Sequence, residues 1–169
     1  MKVRIIALVV VVFGASYASN AQTSQPSTPK SPIVVKSKQQ VADIQKLLEK
    51  KPGNTNEDIV APGGQQTRVA VFHDEKREND MNEVHDGSDD VYYVLDGTAT
   101  LLLGGSLVDA KEISPGEWRS KTATGGQRYT IRKGDLIFVP RGTPHQRTVT
   151  GKGFSMILIK IFAGAQPAK

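Results

Sequence analysis

The chain changes its hydrophobic rhythm three times. Lys2 and Arg4 precede an apolar run from Ile5 to Phe13, and small residues take over from Gly14 to Ala21. A basic start, an apolar middle and a small-residue end form the layout of a secretory signal peptide, so residues 1–21 are expected to be cleaved after Ala21 or Ala18. The apolar run falls well short of the roughly 20 residues that cross a bilayer. From Gln22 to Lys36 the sequence is mostly Ser, Thr, Pro and Gln, too poor in large apolar groups to offset the entropy of ordering, and 22–36 reads as a flexible linker. Ser37 then stands three residues before Gln40, the spacing of a capping box. Val41, Ile44, Leu47 and Leu48 follow at helical intervals until Pro52-Gly53 breaks the pattern, which predicts one amphipathic helix within residues 37–53.

Beyond Gly63-Gly64 the texture shifts to short runs rich in Val, Ile, Tyr, Phe and Thr, punctuated by Gly, Asp and Pro. Strands are predicted at 68–73, 81–85, 91–95, 98–103, 127–131, 136–139 and 154–162. Asp96-Gly97 predicts a tight hairpin turn between two of these, and Lys133-Gly134-Asp135 predicts another. The stretch 104–126 is polar and glycine-punctuated and is expected to be a long functional loop. Closely spaced strands with no helical pattern after residue 53 define an all-β antiparallel sandwich or barrel over residues 60–163, preceded by one helix.

Composition narrows the function. With 169 residues there is room for one ordinary domain and its leader. The chain has no cysteine, which excludes a disulfide framework and a thiolate metal site. The formal charge of +5 loses Lys2 and Arg4 on cleavage and falls to +3. The remaining Lys and Arg are scattered, so a nucleic-acid partner is not expected, and neither is a membrane once the leader is gone.

The candidate chemistry gathers around two histidines. Glu83 and His85 are two residues apart on a predicted strand and therefore share a face, where both can reach one ion. Asp90 follows across the turn-forming Asp86-Gly87-Ser88, and Tyr92 and Val94 continue its face by alternation. Far along the chain, Pro140-Arg141-Gly142-Thr143-Pro144 builds a rigid corner that presents His145. His73, beside Asp74-Glu75, is expected at the surface. Tyr92 is a candidate lumen-facing proton donor or a packing aromatic. Trp118, Arg119, Gln127, Arg128 and Arg141 are candidate substrate contacts, with Arg141 and Gln127 foremost, since arginine suits a carboxylate clamp.

These spacings resemble the two motifs of the cupin superfamily. The second motif appears as Gly134-x5-Pro140-x-Gly142-x2-His145, with Val149 where the family has Asn. The first appears as Glu83-x-His85-x4-Asp90-x6-Gly97, with Glu in place of the first His, Asp in place of the Glu, and Arg77 at the leading Gly. The resemblance covers residues 68–162 and implies a single cupin double-stranded β-helix, a jelly-roll barrel. It further implies divalent-metal ligands at Glu83, His85, Asp90 and His145. With two carboxylates and two imidazoles, Mn(II) or Fe(II) is the expected metal and Zn the alternative. If Glu83 swings away, His85, Asp90 and His145 remain as a 2-His-1-carboxylate set. The implied function is a secreted or periplasmic metal-dependent enzyme of dioxygenase, isomerase or lyase type, acting on a small oxygen-bearing molecule. The alternative is a non-catalytic binding module for a small ligand or metal. Barrels of this family often pair, and a homodimer joined through the 37–51 helix is the expected assembly.

Overall fold

The structure, a computed structural model, describes residues 28–29 and 31–167. The expected signal peptide and residues 22–27 and 30 of the expected linker lie outside the described residues. Every element falls within the compact unit that begins at Ser31. No helix among the described residues is long and apolar enough to cross a membrane.

Helix α1 spans Lys38–Glu49. Ser37 caps it as its spacing requires: Ser37 Oγ accepts from the Gln40 amide at 3.2 Å, and the Gln40 side chain accepts from the Ser37 amide at 2.9 Å. Two otherwise orphaned donors are satisfied by this exchange. Ile44 and Leu48 are buried, with Val41 beside them, whereas Leu47 is 55% exposed and off the packing stripe.

The strands in chain order are β1 Asn54–Val60, β2 Thr67–Asp74, β3 Asn82–His85, β4 Ser88–Leu103, β5 Ser106–Val108, β6 Lys111–Ser114, β7 Glu117–Ser120, β8 Thr122–Thr124, β9 Gln127–Arg132, β10 Leu136–Val139, β11 His145–Thr148 and β12 Phe154–Phe162. The first half of β4 pairs with β12 and β10, completing one sheet in the order β1-β2-β12-β4-β10. Its second half pairs with β9 and β11, completing the other in the order β9-β4-β11-β3-β7-β6. Two antiparallel sheets that share one bent strand and face each other across a core form the double-stranded β-helix.

Asp96-Gly97 therefore does not turn a hairpin. The chain continues through it as one 16-residue strand. Opposite β12, Ser155 pairs with Asp96 but Met156 pairs with Val94, so one residue of β4 bulges between them. Gly97, at φ +82°, takes the bend. A Cβ there would collide with the Gly153 carbonyl oxygen and come within 2.9 Å of Phe154 Cα. The same dipeptide that closes hairpins also supplies the positive φ that a bulge needs, and tertiary pairing decided between the two uses. Lys133-Gly134-Asp135 does turn the chain, its Asp135 amide donating to the Arg132 carbonyl at 2.9 Å.

The 104–126 stretch is no loop either. It folds into β5 to β8, of which β7 docks on β3 and extends the second sheet. β1, an edge strand that is polar up to Ile59 and Val60, also went unpredicted, because an edge needs no apolar alternation.

Tyr92, Val94, Ala99, Leu101, Val139, Phe154, Met156 and Leu158 fill the space between the sheets. On its outer side, β2 presents Val71 to Ile44 and Leu48 of α1, so the helix covers part of the first sheet. His73 lies on that side too. It is 6% exposed rather than at the surface, because it packs against Gly153 and its Nδ1 lies 2.9 Å from Ser155 Oγ on the neighbouring strand.

Gly97→Ala is expected to cost about 3 kcal/mol, combining a strained backbone with a direct clash. Gly134→Ala, at φ +89° but with nothing within 4 Å of its Cβ, is expected to cost about 1 kcal/mol, since only the backbone penalty applies. Denaturant unfolding of both variants measures the difference.

Candidate metal centre

Three strands of the second sheet build the site. On β3, Glu83 and His85 point into the cup and Val84 points away. β7 lies antiparallel to it, so that Arg119 stands directly opposite Glu83 and Glu117 directly opposite His85. On the other side of β3, His145 opens β11 in register with Glu83. The corner before His145 is pinned to β3, where the Gly142 amide donates to the His85 carbonyl at 2.8 Å, and to the end of β4, where the Gly104 amide donates to the Pro144 carbonyl at 2.8 Å.

The donor atoms converge. A donor atom from each of Glu83, His85 and His145 lies within 4.8 Å of the other two. His145 Nε2 is 3.7 Å from Glu83 Oε1, His85 Nε2 is 4.0 Å from Glu83 Oε2, and the two imidazole centroids are 5.1 Å apart. Donors held about 2.1 Å from a shared ion stand about 3 to 4 Å from each other, so the spacing suits one centre. Asp90 stands beside this set. Its Oδ2 is 3.8 Å from His85 Nε2, but it does not share the compact cluster.

Hydrogen bonds behind the rings decide which nitrogen faces the centre. Glu117 Oε2 accepts from His85 Nδ1 at 2.6 Å, and the Thr143 carbonyl accepts from His145 Nδ1 at 2.9 Å. With Nδ1 carrying the proton in each ring, each Nε2 turns a lone pair inward. Burial pushes the His145 pKa below its ordinary 6.5, against the pull of Glu83, so the ring is neutral at neutral pH. Its Nε2 is buried without a hydrogen-bond partner. Burial alone would raise the Glu83 pKa, but His145, Arg119, His85 and Arg77 together bring it below its ordinary 4.5. Two inward lone pairs and an ionised carboxylate repel one another unless a cation lies between them. The donor set therefore fits a divalent ion with nitrogen and oxygen ligands.

A cavity of about 280 Å³ opens beside these residues. Five cations line it, Arg68, Arg77, Arg119, Arg147 and Lys160, against three carboxylates, Glu83, Asp90 and Glu117. At its floor Arg147 Nε meets Asp74 Oδ2 at 2.7 Å, with side chains 8% and 1% exposed. Tyr92 also lines the cup, 2% exposed, and its hydroxyl donates to Asp90 Oδ2 at 3.3 Å. Burial and the neighbouring Asp90 push the Tyr92 pKa far up, so its phenol keeps its proton.

The substrate contacts expected at Arg141 and Gln127 lie elsewhere. Arg141 forms an exposed bidentate pair with Asp89, at 3.0 and 2.6 Å. Asp89 is the outward neighbour of Asp90 on an alternating strand, which draws the arginine outside. Gln127 is exposed on β9 and accepts from the Tyr129 hydroxyl at 2.9 Å. Trp118, outward on β7, donates to Asp86 Oδ2 at 2.7 Å. Arg119 does reach the cup, 2.9 Å from Glu83 Oε2. Glu117 and Lys160 were not singled out by the sequence. Lys160 had left a signal: Phe154, Met156 and Leu158 face the core at alternate positions, and Lys160 is the next on that face.

The fold is the cupin double-stranded β-helix. Among solved structures, a Thermus thermophilus protein matches with a TM-score of 0.51 and 16% identity, over 77% of this chain and 98% of that one. A conserved Klebsiella pneumoniae protein with a double-stranded beta-helix domain matches at 0.48 and 16% identity, over 69% and 84%. A cupin superfamily protein from Desulfitobacterium hafniense matches at 0.45 and 17% identity, over 67% and 81%. At such identities the likeness concerns the fold, and activity has to be read from the site. No protein-family model and no curated protein matches the sequence.

Two outcomes are expected. Glu117→Ala, which releases the His85 ring, should weaken divalent-metal binding about 10- to 100-fold by calorimetric titration. Arg141 holds the Asp89 carboxyl down to about 2 from an ordinary 3.8 through its hydrogen bonds. The sign follows from that depression: the Asp89–Arg141 contribution is complete above 3.8 and is lost as pH falls through about 2. Carbon-detected NMR titration should show Asp89 returning to about 3.8 in Arg141→Gln.

Proposed function

We propose that this protein is a divalent-metal-dependent enzyme acting on a small anionic, oxygen-bearing molecule, with Glu83, His85 and His145 holding the ion. The observation that carries the reading is the buried, partnerless Nε2 of His145 aimed at an ionised carboxylate and a second imidazole lone pair. Mn(II) or Fe(II) suits a centre with a carboxylate and two nitrogens, with Zn(II) the alternative. A bound ion supplies Lewis-acid polarisation of a substrate oxygen.

The chain's own residues do the rest. Arg68, Arg77 and Arg147 are matched by Asp58, Asp80 and Asp74 behind the cavity wall, so the attraction for a negatively charged molecule comes from the bound ion, with Arg119 and Lys160 as donors beside it. The cavity's volume, near the lower end of the range for ligand pockets, limits the molecule to a small one. Tyr92, held protonated, offers a fixed hydroxyl beside Asp90 and acts as a hydrogen-bond donor rather than a base. The same firmly held proton favours the second reading, a binding module without turnover, because a donor that keeps its proton also suits plain capture. Export through residues 1–21 belongs to the proposal, since the leader has the layout of a cleaved signal.

Protein recovered from the periplasm without an affinity tag should begin at Gln22 or Ser19 and carry close to one equivalent of a divalent metal by mass spectrometry. His145→Ala should be empty and, at a metal concentration 100 times Kd, less stable by about 2.7 kcal/mol, because an ion bound only by the folded form stabilises it. An unchanged metal load in that variant would sink the ligand assignment. Oxygen uptake or substrate loss across a panel of hydroxy acids, diketones and phenols separates enzyme from binder, silence throughout favouring the binder.

A further inference from the structure

We infer that Asp90 is not a ligand to the ion but the fixed counter-charge of Lys160, so that the centre has three protein ligands. The inference rests on the metal reading above and departs from the ligand set that the sequence motif implies.

Register carries it. Lys160 on β12 is the direct cross-strand partner of Asp90 on β4, and both side chains point into the cup. Lys160 Nζ lies 2.9 Å from Asp90 Oδ1 and donates to Ser88 Oγ at 3.1 Å. The other carboxylate oxygen, Oδ2, accepts from the Tyr92 hydroxyl. Oδ2 is thus hydrogen-bonded, while Oδ1 makes no hydrogen bond and is held by the charge of Lys160 alone. Its side chain is 4% exposed and that of Lys160 13%, so neither charge has water as a ready substitute for the other.

Glu83 differs in the respect that matters. One oxygen faces Arg119, but the other, Oε1, looks toward the partnerless His145 Nε2. Moving Asp90 onto the ion through Oδ2 would break the Tyr92 hydrogen bond and bring the Lys160 ammonium, still paired at Oδ1, close to a divalent cation, and like charges that close in a poorly hydrated cup repel strongly. The Asp90–Lys160 pair instead stays neutral and forms the wall next to His85, where the ammonium meets an anionic molecule entering the open side of the ion. Three ligands leave more positions open to such a molecule than four do.

The test is calorimetric titration of the full chain with Mn(II) and with Zn(II), after dialysis against chelator. Removing the pair as a neutral unit, Asp90→Asn with Lys160→Met, is expected to change affinity less than about tenfold, whereas Glu83→Gln is expected to lose about 100-fold, the loss of a true ligand being at least that of an outer partner. Lys160→Met alone is expected to tighten binding, because it removes a nearby positive charge and frees Asp90. Thermal unfolding in chelator checks that each variant folds, and if the paired variant does not, Asp90→Leu with Lys160→Leu removes the same neutral unit and decides. A loss greater than about tenfold in the paired variant makes Asp90 a ligand and overturns the inference while the metal reading stands. A wild-type protein that takes up neither ion overturns both.

Discussion

One strand belonging to two sheets is the constraint from which the rest follows. A β-strand alternates faces with period two, so a strand that continued unbroken from Ser88 to Leu103 could keep only one parity inside. β4 escapes this by bulging between Val94 and Asp96 opposite β12 and bending at Gly97. Before the bulge Asp90, Tyr92 and Val94 face inward, and after it Ala99, Leu101 and Leu103 do. The strand thereby feeds the same interior from both sheets. The core and the cup are closed by a single irregularity.

That closure brings opposite charges face to face. Asp74 on β2 and Arg147 on β11 meet across the interior, and the Arg147 guanidinium lies 5.9 Å from the Tyr92 ring centre and 5.8 Å from that of Phe154. A buried pair of this kind adds little net stability, because desolvation offsets most of the attraction. What it does is tie one sheet to the other at the base of the cup. Above it, each acid has a designated cation: Glu83 has Arg119, Asp90 has Lys160, and Glu117 stands between His85 and Arg119. The inward nitrogens of the histidines are selected by acceptors behind them, one a carboxylate and one a backbone carbonyl. The 104–126 stretch contributes half of this arrangement, since β7 supplies both Glu117 and Arg119. An excursion from the barrel has become one wall of the site.

Half of the twelve strands among the described residues, and the capped helix, were legible because they depend on near neighbours. Ser37 and Gln40 are three residues apart, the runs at 127–131, 136–139 and 154–162 carry their own β-branched and aromatic residues, and Gly134 turns within a few residues of its partners. The 83/85 pair was legible for the same reason, since same-face placement follows from a local period. Sequence could not reveal β11, whose inward residues His145 and Arg147 are polar because they serve the site and an ion pair. It could not choose between hairpin and bulge at Asp96-Gly97, since both need the same positive φ and only the register against β12, far along the chain, separates them.

The sequence by itself determined the class of fold, the identity of the inward donors on β3 and the rigid corner that aims His145. All of these are encoded in spacings of a few residues. Tertiary structure alone decided which charges meet. Lys160 finds Asp90, Arg119 finds Glu83, and Arg141 is drawn outward to Asp89, because cross-strand register sets distances between residues that the chain keeps far apart. Coulomb energy falls with distance and rises with burial, and neither quantity exists until the strands have paired.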